Sequence, residues 1–217
     1  MNKLQIERYI TGELKKEKKQ RVLLTPCAEQ VDFYLCKWDN QKNYRLQESA
    51  LNKLFHEIIP NNKDIEDVLI KASTLNDFYS TNIFSIYPVA EHIVSLDIDE
   101  QIQKGCISLV SEIQSITIGD VEKNFYSFAT KYCSHHNPVD FPIYDSYVDE
   151  VLRYFRRKDH FCAFNNYELK NYGRFKQILI DFTSFYKLEN YTLKQIDQYL
   201  WQLGKDYFPM TYKKNGK

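Results

Sequence analysis

The sequence predicts an all-α fold, and three observations carry the prediction. Apolar residues recur at three- and four-residue spacing, the mark of one helix face: Phe125, Phe128, Ala129 and Tyr132 are one such run, and Val148, Val151, Leu152 and Phe155 another. Helix stops and starts separate the runs, with Pro26, Pro60, Pro88, Pro138 and Pro142 as breaks and Asp145 as a candidate N-cap. A length of 217 residues is ample for a core, in one large domain or two small ones.

Residues 1–20 read as an amphipathic helix with Leu4, Ile6, Tyr9, Ile10 and Leu14 on its apolar side. Lys15–Arg21 is a basic run, either a solvated helix end or a contact for phosphate or a partner. Pro26 opens a helix through Phe33 and Leu35 that ends near Trp38 and Asp39. Asp39–Asn43 is a polar loop, and Leu46–Ile59 is a helix stopped by Pro60. A turn over Asn61–Asp64 leads to a helix over Ile65–Leu75. Thr81–Tyr87 reads as a short strand or part of a helix, and Pro88–Val94 as a short helix.

Asp97, Asp99 and Glu100 form a carboxylate cluster without EF-hand spacing, so a surface turn or cap is expected rather than an ion site. Ile98–Ile113 is helical, and Ser115–Asp120 turns the chain. The second helix of the central stretch runs through Glu150 to Arg157, with Arg153, Arg156, Arg157 and Lys158 at its far end. Cations there suit the helix dipole or a phosphate equally. A loop follows, ending at Gly173, then a helix over Phe175–Phe185. Thr192 is an N-cap for a last helix through Leu203, with Gly204 at the C-cap position.

Charge balances at 29 basic against 29 acidic residues, so nucleic-acid binding would need a local basic face. Five cysteines, Cys27, Cys36, Cys106, Cys133 and Cys162, form no CxxC pair and read as reduced thiols. No stretch has a signal core or the length and apolarity of a membrane span, and a cytoplasmic protein is expected. Cys133, His135 and His136, with Asp140 nearby, offer zinc ligand types at a spacing that is not structural zinc spacing. No metal or other cofactor is expected.

The chain centres on Asn124–Arg157, NFYSFATKYCSHHNPVDFPIYDSYVDEVLRYFRR. An aromatic helix leads to a polar turn with a proline at each end, then to Asp145 at the start of a second helix. As an N-cap, Asp145 faces the positive end of the helix dipole.

This stretch resembles the core of the helix-hairpin-helix DNA glycosylase superfamily, where a short extended segment after a helix delivers an aspartate to the next helix start. FPIYDSYVDEV stands where that segment stands, and Ala129 precedes Asp145 by sixteen residues, as a helix alanine does in family members. Ile196–Lys205, IDQYLWQLGK, is similar to the last helix of the archaeal 8-oxoguanine glycosylase branch, with its Leu-Trp pair and nearby glycine. The hairpin place holds ITIGDVEKNFYSFA, with one glycine, Gly119.

The resemblance implies a helical context for Thr81–Tyr87 and two lobes with a cleft between them. Lobe A spans about 1–59 plus 159–217, and lobe B about 60–158 with a degenerate hairpin. It further implies hydrolysis of the N-glycosidic bond of a flipped damaged or modified base in DNA repair, or in defence against phage DNA in bacteria. Asp145 is then the catalytic carboxylate. Ser127 falls at the position of the family's Schiff-base lysine, which implies a monofunctional enzyme, and Lys131, one turn on, is a second catalytic candidate. The expected DNA contacts are Ser127, Tyr144, Ser146, Tyr147, His135, His136, Arg153, Arg156 and Arg157. Two other readings stay open: a catalytically silent DNA-binding module, and a protein–protein interaction subunit on the same scaffold.

Overall fold

The computed structural model describes residues 22–208, so the amphipathic helix expected over residues 1–20 and the basic run lie outside the described residues. The described chain is mostly helical, with one two-stranded sheet. It divides into two compact units. One holds residues up to Asn40, Asp145–Ala163 and residues from Asp181 on; the other holds Gln41–Tyr144 and Phe164–Ile180. The divisions fall at 40/41, 144/145, 163/164 and 180/181, where the resemblance implied lobe bounds at about 59/60 and 158/159. The helix that Asp145 opens thus groups with the C-terminal helix, because its apolar stripe packs there.

In the first unit, helices α1 (Ala28–Asp39) and α8 (Ser146–Asp159) both pack on α10 (Leu193–Tyr207). The stripe Val148, Val151, Leu152 and Phe155 is fully buried, as are Val31, Tyr34, Ile196, Tyr199, Leu200 and Leu203. Polar ties fix the register of α1 on α10. Gln202 Nε2 donates to the Tyr34 carbonyl at 2.7 Å, and Lys37 Nζ pairs with Asp206 at 2.7 Å. Thr192 caps α10 in a reciprocal box with Gln195. The helix passes Gly204 without ending and runs to Tyr207, so Gly204 is not a C-cap. A Cβ there would meet the Tyr147 backbone oxygen at 2.7 Å, so the missing side chain permits the close approach of α10 to the first turn of α8.

The second unit is built around α7 (Tyr126–His136). Sequence spacing predicts one apolar face, but α7 is buried on all sides from Phe128 to His135, polar residues included. Around it stand α2 (Lys42–Asn52), continued by a π-helical stretch Lys53–Ile58, then α3 (Ile65–Tyr79), α4 (Ile86–Ser95), α5 (Asp99–Gln103) and α6 (Leu109–Gln114). The helix expected over Ile98–Ile113 is broken at Gly105, which has φ +65. Helix α9 (Tyr172–Phe185) starts earlier than expected and contains Gly173; its residues to Ile180 belong to this unit.

Two local expectations change in this unit. Ser115–Asp120 is part of a β-hairpin, β1 (Ser115–Ile118) and β2 (Val121–Asn124), not of a helical hairpin. Ile118 pairs with Val121 around a two-residue Gly119-Asp120 loop. Gly119 at φ +61 supplies the positive dihedral that a type II′ hairpin turn needs at its first central position. The β-branched run Ile116-Thr117-Ile118 then favours a strand over a helix turn. Thr81–Phe84 is also not helical. Ser80 and Asn82 are left-handed (φ +49 and +59), and the Asn76 side chain replaces helix bonds: its Oδ1 accepts from Thr81 Oγ1 at 2.7 Å and from Ile83 N at 3.0 Å.

Candidate functional site

A cavity of about 450 Å³ opens in the second unit at the head of α7. Thr81, Asn124, Phe125, Tyr126, Ser127, Phe128, Tyr144 and Lys170 line it. Its size falls in the range that holds small organic ligands. Tyr126 and Tyr144 form one wall, with ring centroids 4.8 Å apart at 45°. Their hydroxyls are committed: Tyr126 donates to the Leu169 carbonyl at 3.1 Å, and Tyr144 accepts from Lys170 Nζ at 2.5 Å. Both rings are almost fully buried, and Lys170 Nζ lies 4.1 Å over the Tyr144 centroid.

Ser127 and Lys131 lie one turn apart on α7, so both project from the same side. Lys131 is 2% exposed, and its Nζ donates to Ser127 Oγ at 2.6 Å and to the Tyr144 carbonyl at 3.2 Å. Lys131 thus lies beneath the cavity floor and reaches it through Ser127. Thr130 Oγ1 accepts from Tyr144 N at 3.2 Å, so Tyr144, at the end of a segment outside any helix or strand, is fastened to α7 at both its amide and its carbonyl.

In the other unit, Asp145 is the N-cap of α8, with φ −140 and ψ 154. Its Oδ1 accepts from Tyr147 N at 2.9 Å. Only the peptide bond to Tyr144 is needed to relate it, along the chain, to the cavity wall. Ser146 is exposed and Tyr147 is half-buried, its ring 6.3 Å from that of Trp201. Arg153 is drawn to its own helix, with Nη2 2.5 Å from Glu150 Oε1 and Asp149 beside it at 2.5 Å. Arg156 is half-buried and Arg157 exposed in the last turn of α8.

His135 and His136 stand away from any surface site. His135 is 4% exposed and its Nε2 meets the Tyr79 hydroxyl at 3.0 Å. His136 joins a buried polar hub that the sequence did not disclose. Asn62 sits at its centre: Oδ1 accepts from Lys71 Nζ at 2.6 Å and from the Tyr132 hydroxyl at 2.6 Å. Asn62 N and Nδ2 donate to Asp99 at 3.1 Å and 2.6 Å. Lys71 also donates to the Asn61 carbonyl at 2.8 Å and lies 3.3 Å from His136 Nε2. Burial pulls the Lys71 amine down to about 8, against the pull of the Asp99 and Asp67 charges. Burial and then the Lys71 charge hold His136 well below the usual histidine range. His136 Nε2 lies between Lys71 Nζ at 3.3 Å and Asn62 Oδ1 at 3.2 Å, accepting from the first or donating to the second according to its tautomer. Cys133 is buried, its thiol pushed up by burial, and among the described residues no group of three or more His, Cys, Asp or Glu is placed to hold a metal.

Two further features escape sequence reasoning. Lys170 comes to the cavity from a 3-10 turn (Glu168–Lys170) far along the chain. Phe84 is 99% exposed, three residues from the cavity-lining Thr81 and at the tip of the loop that Asn76 clamps. Among the described residues no helix is long and apolar enough to cross a membrane.

Residues 30–140 match the HI_0787_N family, described as an N-terminal domain. A Haemophilus influenzae protein, described as uncharacterized, is 55% identical over 146 residues, 67% of this chain and 70% of the relative. No solved structure matches the chain. The chain belongs to the HI_0787_N family. The matched stretch includes α7 and most of the cavity lining, and stops before Tyr144 and Asp145.

Proposed function

We propose that this member of the HI_0787_N family is a DNA glycosylase. It would hydrolyse the N-glycosidic bond of a damaged or modified base taken out of the stack, and as a monofunctional enzyme leave an abasic site. The observation that supports this most is the run through Phe141–Asp145. A segment outside any helix or strand, fastened to a buried helix at Tyr144, supplies that residue as an aromatic wall to a cavity, and the next residue is a carboxylate held at a helix start. Breaking a base–sugar bond develops oxocarbenium-like positive charge on the sugar, which a carboxylate stabilises while it directs the attacking water. An aromatic cavity suits a base extruded from the duplex. Ser127 stands at the cavity edge where the resemblance places the Schiff-base lysine, and Lys131 is buried behind it, hydrogen-bonded to Ser127.

The β-hairpin supports a second reading, a DNA-binding module without catalysis. A β1–β2 turn with one glycine lacks the run of backbone amides that grips a DNA phosphate in the glycosylases the sequence resembles. Base release separates the two. The protein and Asp145→Asn are incubated with a panel of damaged duplexes and heavily modified phage DNA, and free base is read by mass spectrometry. Asparagine keeps the N-cap, so the variant tests the charge and not the fold. Release by the natural protein alone is expected. Equal release by Asp145→Asn would overturn the role of Asp145, and DNA binding without release from any substrate would favour the silent module.

A further inference from the structure

We infer that the cavity at the head of α7 takes a ligand with an imide or lactam edge, a ring N–H beside carbonyl oxygen, and that Ser127 and Asn124 are the donors that select it. The Tyr126 hydroxyl is engaged with the Leu169 carbonyl, and the Tyr144 hydroxyl with Lys170. That leaves three polar side chains on the lining: Thr81, Asn124 and Ser127. The bonds each one already makes inside the protein determine what it has left to offer a ligand.

Ser127 is left as a donor. Lys131, 2% exposed and one helical turn on, gives its Nζ proton to Ser127 Oγ at 2.6 Å, so the hydroxyl accepts from behind and keeps its own proton. The protein acceptor for that proton is the Tyr144 carbonyl at 3.3 Å, a long bond for a hydroxyl, to an oxygen that Lys131 also meets at 3.2 Å. A ligand carbonyl at the usual distance of about 2.8 Å is the better acceptor. Asn124 is left as a donor too. Its Oδ1 accepts from Tyr126 N at 3.1 Å, and only the amide oxygen can meet an N–H, so this bond turns Nδ2 the other way. Asn124 is exposed, and its Nδ2 donates to nothing among the described residues. Thr81 is the complement. Its Oγ1 gives its proton to Asn76 Oδ1 at 2.7 Å and is left to accept. Two donors and one acceptor around one cavity answer the acceptor–donor–acceptor edge of an imide, or the carbonyl and adjacent N–H of a lactam. A ring with an amino group in place of the carbonyl sets donor against donor, which costs binding because the group inside is left unpaired.

The inference deepens the glycosylase reading and rests on it for the natural ligand, a base within DNA, which is then of the uracil or hypoxanthine kind. The full chain is titrated with uracil and with 4-aminopyrimidine, a ring of the same size with an amino group and no carbonyl, and binding is followed by ligand-observed NMR. Uracil is expected to bind roughly tenfold more tightly, the worth of one or two hydrogen bonds. Asn124→Asp keeps an oxygen to accept from Tyr126 N and replaces the donor by a second acceptor, so the preference for uracil should vanish in a folded protein. Ser127→Ala should reduce it as well. Equal binding of the two rings, binding of neither, or a preference that survives both substitutions would each overturn the inference. So would covalent labelling of Ser127 by a fluorophosphonate, which requires Lys131 to take the proton that the inference leaves on the hydroxyl. Duplexes carrying uracil, hypoxanthine or 3-methyladenine then test the reading beneath it. A preference for uracil without base release from any DNA would sink the glycosylase reading and leave the cavity's selectivity standing. Release of 3-methyladenine as readily as of uracil or hypoxanthine would overturn the inference and leave the glycosylase reading intact.

Discussion

Replacing Gly204 by alanine tests how closely α10 must approach the helix that Asp145 begins. In an unconstrained helix interior the change would stabilise, by about 1 kcal/mol of propensity. Here the added Cβ would sit 2.7 Å from both Cβ and the carbonyl oxygen of Tyr147, and 3.0 Å from its carbonyl carbon. Two of those atoms are backbone in the first turn of α8, so no rotamer change relieves the clash. Ordinary contact needs the helices to part by more than half an ångström, and overpacking of this kind costs typically 1–3 kcal/mol. With the cost at its upper end and the propensity gain subtracted, the net loss is about 2 kcal/mol. Urea denaturation measures it, with a lower midpoint at unchanged slope as the expected result. The displaced turn holds the Tyr147 amide that donates to the Asp145 cap, so base release by the folded variant should fall as well. A variant as stable as the natural protein, or more stable, would refute the close-packing argument.

Three further outcomes are expected. Asn62→Leu leaves the buried donors of Lys71 and Tyr132 without their acceptor and should cost about 3 kcal/mol or more in thermal or urea unfolding; a loss under 1 kcal/mol would mean that water or a shifted neighbour replaces Asn62. Lys71 releases its proton near 8 when folded and near 10.5 when unfolded, so between those values the unfolded chain holds more protons and stability rises with pH. The stability of the natural protein relative to Lys71→Met should therefore climb from about pH 8 to pH 10.5 and be level below pH 8, and a level difference throughout would contradict the burial effect. Phe84→Ala removes a side chain that packs on nothing, so unfolding should shift by less than about 0.5 kcal/mol; if the phenyl fills the gap left by an extruded base, release from duplex falls roughly tenfold while release from single strands is unchanged.

Local periodicity made most helices legible. The spacing of Val148, Val151, Leu152 and Phe155 fixes the buried face of α8, Asp145 and Thr192 announce their caps, and Pro60 ends a helical stretch. The hairpin was misread because a four-residue strand carries too little alternation to compete with neighbouring helices, although Gly119-Asp120 between β-branched residues held the signal. Gly204 was misread because a helix-end glycine and a close-approach glycine look alike until the partner helix is known. For the site, the head of α7 was visible as an aromatic cluster around Ser127, whereas Lys170 was not. It joins the cavity across more than forty residues, and nothing in its neighbours marks it. Phe84 reads as core from its type alone, and only the clamp from Asn76 turns it outward.

Two places in the second unit gather polar groups, and packing decides which of them can meet a ligand. In the hub of Asn62, Lys71, Tyr132, His136 and Asp99, burial displaces the titrations of Lys71, Tyr132 and His136, yet its members satisfy one another, and none of them lines the cavity. A lysine fully buried among an amide, a carbonyl and an imidazole has no room to meet a substrate, and its altered proton affinity follows from burial alone. Such a network specifies how the segment before α3 docks against α7, and its cost is repaid in a unique arrangement of the core. The head of α7 has the opposite character: aromatic residues border an open volume, and Lys170 stands beside it in a self-bonded turn. Chemistry needs a place for a ligand before it needs an unusual proton affinity, so the cavity, and the carboxylate that follows its Tyr144 wall in the chain, is where substitutions should change activity without changing stability.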